Sequence, residues 1–365
     1  MQHKKHNFGA GPCILPETVL TRAAEAVKNW DASGLSILEI SHRSPAFEEV
    51  VKTAEKLVRE LLDVPADYSV LFLQGGASMQ FAMVPMNFLG KNQTAAYLDA
   101  GYFGQKAIKE AKVSGEVIVV ASSRQQGYHA IPKAYDIPKH SAYFHVTSNN
   151  TIEGTQIRRF PESPVPLVCD MSSDIFSRVI DVSQFDLIYA GAQKNMGPAG
   201  MTLVIARNAF LDSVKNPVHA ILDYRVYRDN GSMYNTPPVF AIYSAMLNLH
   251  WLISRGGVVQ IQRENVAKAQ LLYDEIDSNQ LFYGLAEKAD RSLMNVTFRM
   301  HDPGLEPEFL EFATKKGMVG IRGYRTVGGF RASLYNALPY DSVAALVSCM
   351  REFAAVKHVS APVTY

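Results

Sequence analysis

The sequence predicts a large α/β domain on a mainly parallel sheet, followed by a smaller α+β unit. Three observations point there. From about residue 45 to residue 206, short apolar runs alternate with helical segments, the pattern of strands joined by crossovers. The chain has 365 residues, long for one core, and its 47% hydrophobic against 19% charged residues can fill two. Beyond about residue 279 the texture changes to strands and helices without the earlier alternation.

The elements follow in order. Residues 16–30 place Val19, Leu20, Ala23, Ala26, Val27 and Trp30 at helical spacing. Residues 45–64 are expected as an amphipathic helix, with Phe47, Val50, Val51, Ala54, Leu57, Val58, Leu61 and Leu62 on one face. A short strand at 70–73 stops at Gln74-Gly75-Gly76-Ala77-Ser78, and an apolar helix resumes over 79–89. Strand 94–98, helix 104–112 and strand 116–121 come next. Strand 142–147 runs into a polar turn at 148–154, and strand 167–169 ends at Asp170. In the segment 186–207, DLIYAGAQKNMGPAGMTLVIAR, two buried strands flank a Gly- and Pro-rich turn. Helices are expected over 238–254 and 257–277. Strand 292–298, helix 306–316, strand 328–335 and helix 340–355 form the smaller unit. The boundary falls within 260–278.

Bulk properties exclude several functions. A formal net charge of +1 leaves no electrostatic footprint for nucleic acid or an acidic membrane. The three cysteines are isolated, which fits a reducing compartment. The N-terminus lacks the apolar core of a signal peptide, and no apolar stretch is long enough to span a bilayer. The ten histidines show no metal-ligand spacing, so no metal is expected.

The polar groups Ser78, Thr151, Asp170 and Lys194 all follow apolar strands, so they could share one rim of the sheet. Lys194 could link covalently to a carbonyl cofactor, or be a solvated hairpin lysine. The turn at Gly75–Ser78 could receive a phosphate at a helix start, or be an ordinary strand-to-helix turn. Asp170 could keep a pyridine nitrogen protonated, or cap a helix. Phe103 could stack on a planar ring, or fill the core. His42 and Arg43, with Arg322, Arg325 and Arg331, could bind anions or form surface ion pairs.

Taken together and in this order, SHR, GGAS, DAGYF, NNTIEG, DMSS, AGAQKNMGPAG, NGSMYNTPP and GGFRASLYNA resemble the phosphoserine aminotransferases. These are pyridoxal-phosphate enzymes of fold type I, in the class V aminotransferase group. The resemblance runs over nearly the whole chain. It implies a seven-stranded-type, mainly parallel sheet in a large domain at 16–260, with 1–15 and 261–365 forming the small domain. It implies pyridoxal 5'-phosphate as cofactor. Lys194 would carry the cofactor and move protons, and Asp170 would hold the ring nitrogen. Ala77, Ser78 and Gln193 would hold the phosphate, Thr151 the ring hydroxyl, and Phe103 would stack. Asn235 and Thr236 would reach the phosphate in a partner subunit's site, so a cytoplasmic homodimer is implied. Arg331 would take the α-carboxylate of small-molecule substrates, and His42, Arg43 and Arg325 the distal anion. Some members have Trp, Arg and His where Phe103, Ser78 and Tyr324 stand. The implied reaction passes the amino group of glutamate to 3-phosphohydroxypyruvate, in serine biosynthesis, with a related oxo acid of pyridoxine biosynthesis as a further substrate. Another class V activity, such as a cysteine desulfurase, would need a mobile cysteine. Cys169 in a strand and Cys349 in an amphipathic helix argue against that.

Overall fold

The computed structural model describes residues 5–214, 217–325 and 327–360. The large sheet has seven strands: β1 (Tyr68–Leu73), β2 (Thr94–Asp99), β3 (Glu116–Ser122), β4 (Phe144–Thr147), β5 (Leu167–Asp170), β6 (Leu187–Gly191) and β7 (Thr202–Arg207). Their order is β1-β7-β6-β5-β4-β2-β3. Six run in one direction. β7 alone opposes its neighbours β1 and β6, because the 192–201 turn is too short for a crossover.

Side chains alternate between the two faces, as a pleated strand requires. Phe72, Leu98, Val146, Cys169, Ile188 and Leu203 meet the helices Glu17–Lys28, Pro45–Leu62 and Val239–Ser254. Leu71, Tyr97, Val168, Tyr189 and Val204 meet Gly76–Phe88 and Tyr102–Ser114. Both faces are therefore dry except along the edge strand β3, none of whose residues is buried, which explains why the inner strands read as continuous apolar runs.

Beyond this lies an antiparallel sheet of β8 (Phe282–Gly284), β9 (Asn295–Met300) and β10 (Phe330–Ser333) in that order. Phe298, Phe309, Phe330 and Phe353 fill its core with Ala269, Leu272 and Ile276 of the long helix Gly257–Ser278. The same helix sends Val258 and Ile261 into the first core. Phe8 joins the second core, and His6–Asn7 pair in parallel with Met318–Val319.

Several element boundaries differ from expectation, among them strand 142–147, which starts at Phe144, and strand 328–335, which is Phe330–Ser333. The short strand Phe282–Gly284 is not among those expected. Two of the differences have clear local reasons. The apolar helix begins at Gly76, not at 79, because Gly75 takes the left-handed conformation (φ 88°) and turns the chain directly into it. The strand expected at 292–298 begins at Asn295. Ser292 Oγ accepts the N–H groups of Met294 and Asn295 at 2.9 Å each, a side-chain turn that replaces the ladder.

Register defines the rim that matters. Leu73 and Gly191 both pair with Thr202, and Asp170 pairs with Thr147 and Tyr189. The C-terminal ends of β1, β4, β5 and β6 are thus level. The chain leaving them carries Gly75–Ser78, Thr151, Asp170 and Lys194.

Candidate active site

The segment leaving β6 is held from several sides, which fixes its lysine. Asn195 Oδ1 accepts the Asn336 N–H at 3.0 Å, and the Asn195 carbonyl accepts from Asn248 Nδ2 at 2.9 Å. Cys13 donates its N–H to the Gln193 carbonyl at 3.1 Å and its thiol to the Lys194 carbonyl. Lys194 as a residue is half-buried, but its amine points inward. Nζ donates to Thr151 Oγ1 at 2.8 Å and stands 5.3 Å from the centroid of the Phe103 ring. Burial lowers its pKa to about 8. Asp170 pulls it back up, and Arg331 adds to the lowering. A buried amine that sheds its proton this readily is a nucleophile and a base in waiting.

Asp170 closes β5 and is 4% exposed. Oδ1 accepts the Ser172 N–H at 2.9 Å. This is a two-residue side-chain turn, and no helix follows for it to cap among the described residues. Burial pushes its carboxyl up, with Ser172 and Lys194 opposing.

Thr151 sits in a tight turn that the two-residue strands Asn149–Asn150 and Thr155–Gln156 close. Gly154 holds φ 79° there, and a Cβ on it would fall 2.9 Å from the Asn295 carbonyl, so only glycine fits. The Thr151 carbonyl accepts from Arg331 Nη1 at 3.3 Å. Arg331 Nε is buried with no partner, and burial lowers the guanidinium pKa. A donor left unmet this way suits an incoming carboxylate.

Phe103 is the second residue of the helix Tyr102–Ser114, at the rim end. Ala77 and Ser78 lie in the first turn of Gly76–Phe88, which has no side-chain cap. Ser78 is exposed and Ala77 half-buried, so this turn presents backbone N–H groups to an anion.

The structure therefore brings Lys194, Thr151, Phe103, Asp170 and Arg331 together. His42, Arg43, Arg325, Asn235 and Thr236 make no hydrogen bond or ion pair with Lys194, Asp170 or Arg331 among the described residues. Arg43 and Arg325 are exposed. His42 Nε2 and Asn235 Oδ1 are buried without partners. The Thr236 carbonyl accepts from Gln74 Nε2 at 2.9 Å, which seats this loop beside Gly75 of its own chain.

Cys13 escaped sequence reasoning as a site residue. The signal was the NFGAGPC segment ahead of the first helix. Burial pushes its thiol up to about 12, so it acts as a donor and not as a thiolate. Burial also raises Cys169 and Cys349, which leaves no activated thiol among the described residues.

Comparison with known proteins agrees with the geometry. The family model described as Aminotransferase class-V matches residues 6–346. A phosphoserine aminotransferase of Bacteroides thetaiotaomicron is 56% identical over 352 residues, covering 96% of this chain and 99% of its own. The solved phosphoserine aminotransferase of Bacillus circulans subsp. alkalophilus superposes with a TM-score of 0.95 at 46% identity, over 98% of this chain and 100% of its own. A PLP-bound phosphoserine aminotransferase from Trichomonas vaginalis superposes at 0.90 with 38% identity, over 95% and 100%. With a lysine, an acid and an aromatic set at the rim of a seven-stranded α/β sheet, and with relatives matched end to end, this chain belongs to the class V aminotransferases, among the phosphoserine aminotransferases.

Proposed function

We propose that the protein binds pyridoxal 5'-phosphate and moves the amino group of glutamate to 3-phosphohydroxypyruvate, giving O-phosphoserine and 2-oxoglutarate. The observation that carries this is the Arg331 guanidinium, with its unmet Nε, beside the Lys194–Thr151–Asp170 cluster. It offers a carboxylate seat next to an amine whose pKa is about 8.

The residues suit the cofactor. Lys194 Nζ can link to an aldehyde, Phe103 offers a ring face, Asp170 a buried acid, and the Gly76–Phe88 helix start a phosphate seat. When bound, the cofactor supplies a conjugated ring that withdraws electrons from the substrate Cα. Lys194 Nζ carries the cofactor and, once freed, takes and returns the Cα proton. Thr151 Oγ1 accepts from that amine at 2.8 Å and so orients it, and it is the residue that would hold the cofactor's ring hydroxyl. Asp170 keeps a proton on the ring nitrogen. Ala77, Ser78 and Gln193 hold the phosphate.

Arg331 grips the α-carboxylate, and His42, Arg43 and Arg325 receive the distal carboxylate or phosphate. One set of cations thus serves both substrates. The protein acts as a homodimer in which Asn235 and Thr236 of each protomer complete the phosphate seat of the other. Among the described residues no helix is long and apolar enough to cross a membrane. The similarity to proteins named phosphoserine aminotransferase supports a role in serine biosynthesis, and a cytoplasmic location is part of the same proposal. The related phosphorylated four-carbon oxo acid of pyridoxine biosynthesis is a second acceptor.

The test is an assay of purified protein with glutamate and 3-phosphohydroxypyruvate, with the four-carbon oxo acid alongside. Wild type should turn over, and Lys194→Ala should not. Full activity in that variant would sink the assignment.

A further inference from the structure

We infer that Glu153 is a positioning residue held as a neutral carboxylic acid, donating its Oε2 proton to Asn150 Oδ1 and so tying the Thr151 turn to the helix that bears Phe103. Glu153 is 5% exposed and two residues from Thr151. Its Oε1 accepts the Tyr102 N–H at 2.8 Å, which caps the helix Tyr102–Ser114 from outside, since the preceding Gly101 has no side chain. Its carbonyl accepts from Thr297 Oγ1 of β9 at 2.9 Å. One residue therefore joins the turn, the helix start and the second sheet.

Its other oxygen carries the inference. Oε2 is buried with no partner, and so is Asn150 Oδ1. Both converge on Gly101, at 2.9 Å and 2.5 Å from where a Cβ would stand, so glycine there lets them approach. Asn150 Nδ2 is already engaged with Thr155 Oγ1 at 3.0 Å, so the atom of that amide left without a partner is its oxygen. Two buried acceptors with no donor are costly, and one proton on Oε2 satisfies both. The charged and titratable groups around Glu153 are Asp99, which Tyr128 bonds at 3.0 Å, and Arg331. Burial, joined by Asp99, raises its pKa, while the Tyr102 N–H and Arg331 oppose.

Glu153→Gln keeps the shape, with an amide N–H in place of the acid proton. Urea unfolding of the holoprotein is compared at about pH 5 and about pH 8. A carboxyl with a raised folded pKa contributes stability that is full below its unfolded pKa and is lost as pH rises through the folded one. The variant's midpoint should therefore gain on wild type as pH rises. An ionised Glu153 receiving an N–H from a rotated Asn150 amide predicts the opposite sign. A difference that is constant or turns against the variant with rising pH overturns the neutral acid. This arm needs no turnover, so it stands apart from the proposed reaction. For the positioning role, Glu153→Ala should shift the absorption band of bound cofactor and Glu153→Gln should restore it. An unshifted band in Glu153→Ala overturns the tie.

Discussion

Thr151→Val removes one hydroxyl and leaves a side chain of the same shape. In the wild type that hydroxyl accepts from Lys194 Nζ at 2.8 Å. A hydrogen bond to a charged donor contributes about 1.5–3 kcal/mol, against about 1 kcal/mol for a neutral one. The ammonium therefore loses about 1.4 kcal/mol more than the free amine does, which is about one pKa unit. Lys194 should fall from about 8 to roughly 7, and its free-amine fraction at neutral pH should rise from about a tenth to about a half. The backbone carbonyl of residue 151 still receives Arg331, so the turn keeps that anchor. The assay is the pH dependence of trapping by a small aldehyde and a hydride reductant in cofactor-free protein, read by mass spectrometry on the Lys194 peptide. The sign extends to stability. A lysine whose folded pKa lies below its unfolded value contributes stability at high pH that is lost as pH falls from the unfolded pKa to the folded one. In the variant that loss continues to a lower pH. A trapping midpoint that stays put or moves upward would refute the claim that Thr151 stabilises the charged amine.

Two further outcomes follow from the same geometry. Arg331→Lys keeps a charge but loses the planar fork. The KM for glutamate should rise about 10- to 100-fold, on the order of 1.5–3 kcal/mol, with a smaller change in kcat, and steady-state kinetics with an unchanged KM would count against the carboxylate seat. Lys268 is buried and donates to the carbonyls of Leu334, Tyr335 and Leu338 at 3.0, 3.0 and 3.1 Å. Lys268→Met leaves the Leu334 and Leu338 carbonyls without this donor, while the Tyr335 carbonyl keeps the Leu338 N–H at 2.9 Å, so urea unfolding should show a loss of about 2 kcal/mol or more, and a loss below about 1 kcal/mol would mean that the carbonyls find other donors.

Much of this protein could be read in its residue pattern, because the relevant signals are local. A strand buried on both faces must be a continuous apolar run, so β5, β6 and β7 announced themselves. A lysine after such a run, bounded by glycines, stood out for the same reason, and so did Asp170. Sequence order also placed Ser78, Thr151 and Lys194 after strands, and parallel strands then require one common rim.

What the pattern could not carry were contacts between residues remote in the chain. Arg331 meets the Thr151 carbonyl from the second sheet, and nothing in the periodicity of either segment encodes that meeting. Cys13 reaches the Lys194 carbonyl through the same kind of docking. Glu153 read as one more charged residue in a polar turn. Only burial against Gly101 and Asn150 makes it a brace. Periodicity reports which face of an element is dry. Register and the packing of one sheet against another decide which polar atoms are left facing each other, and the environment of Lys194 was settled at that level.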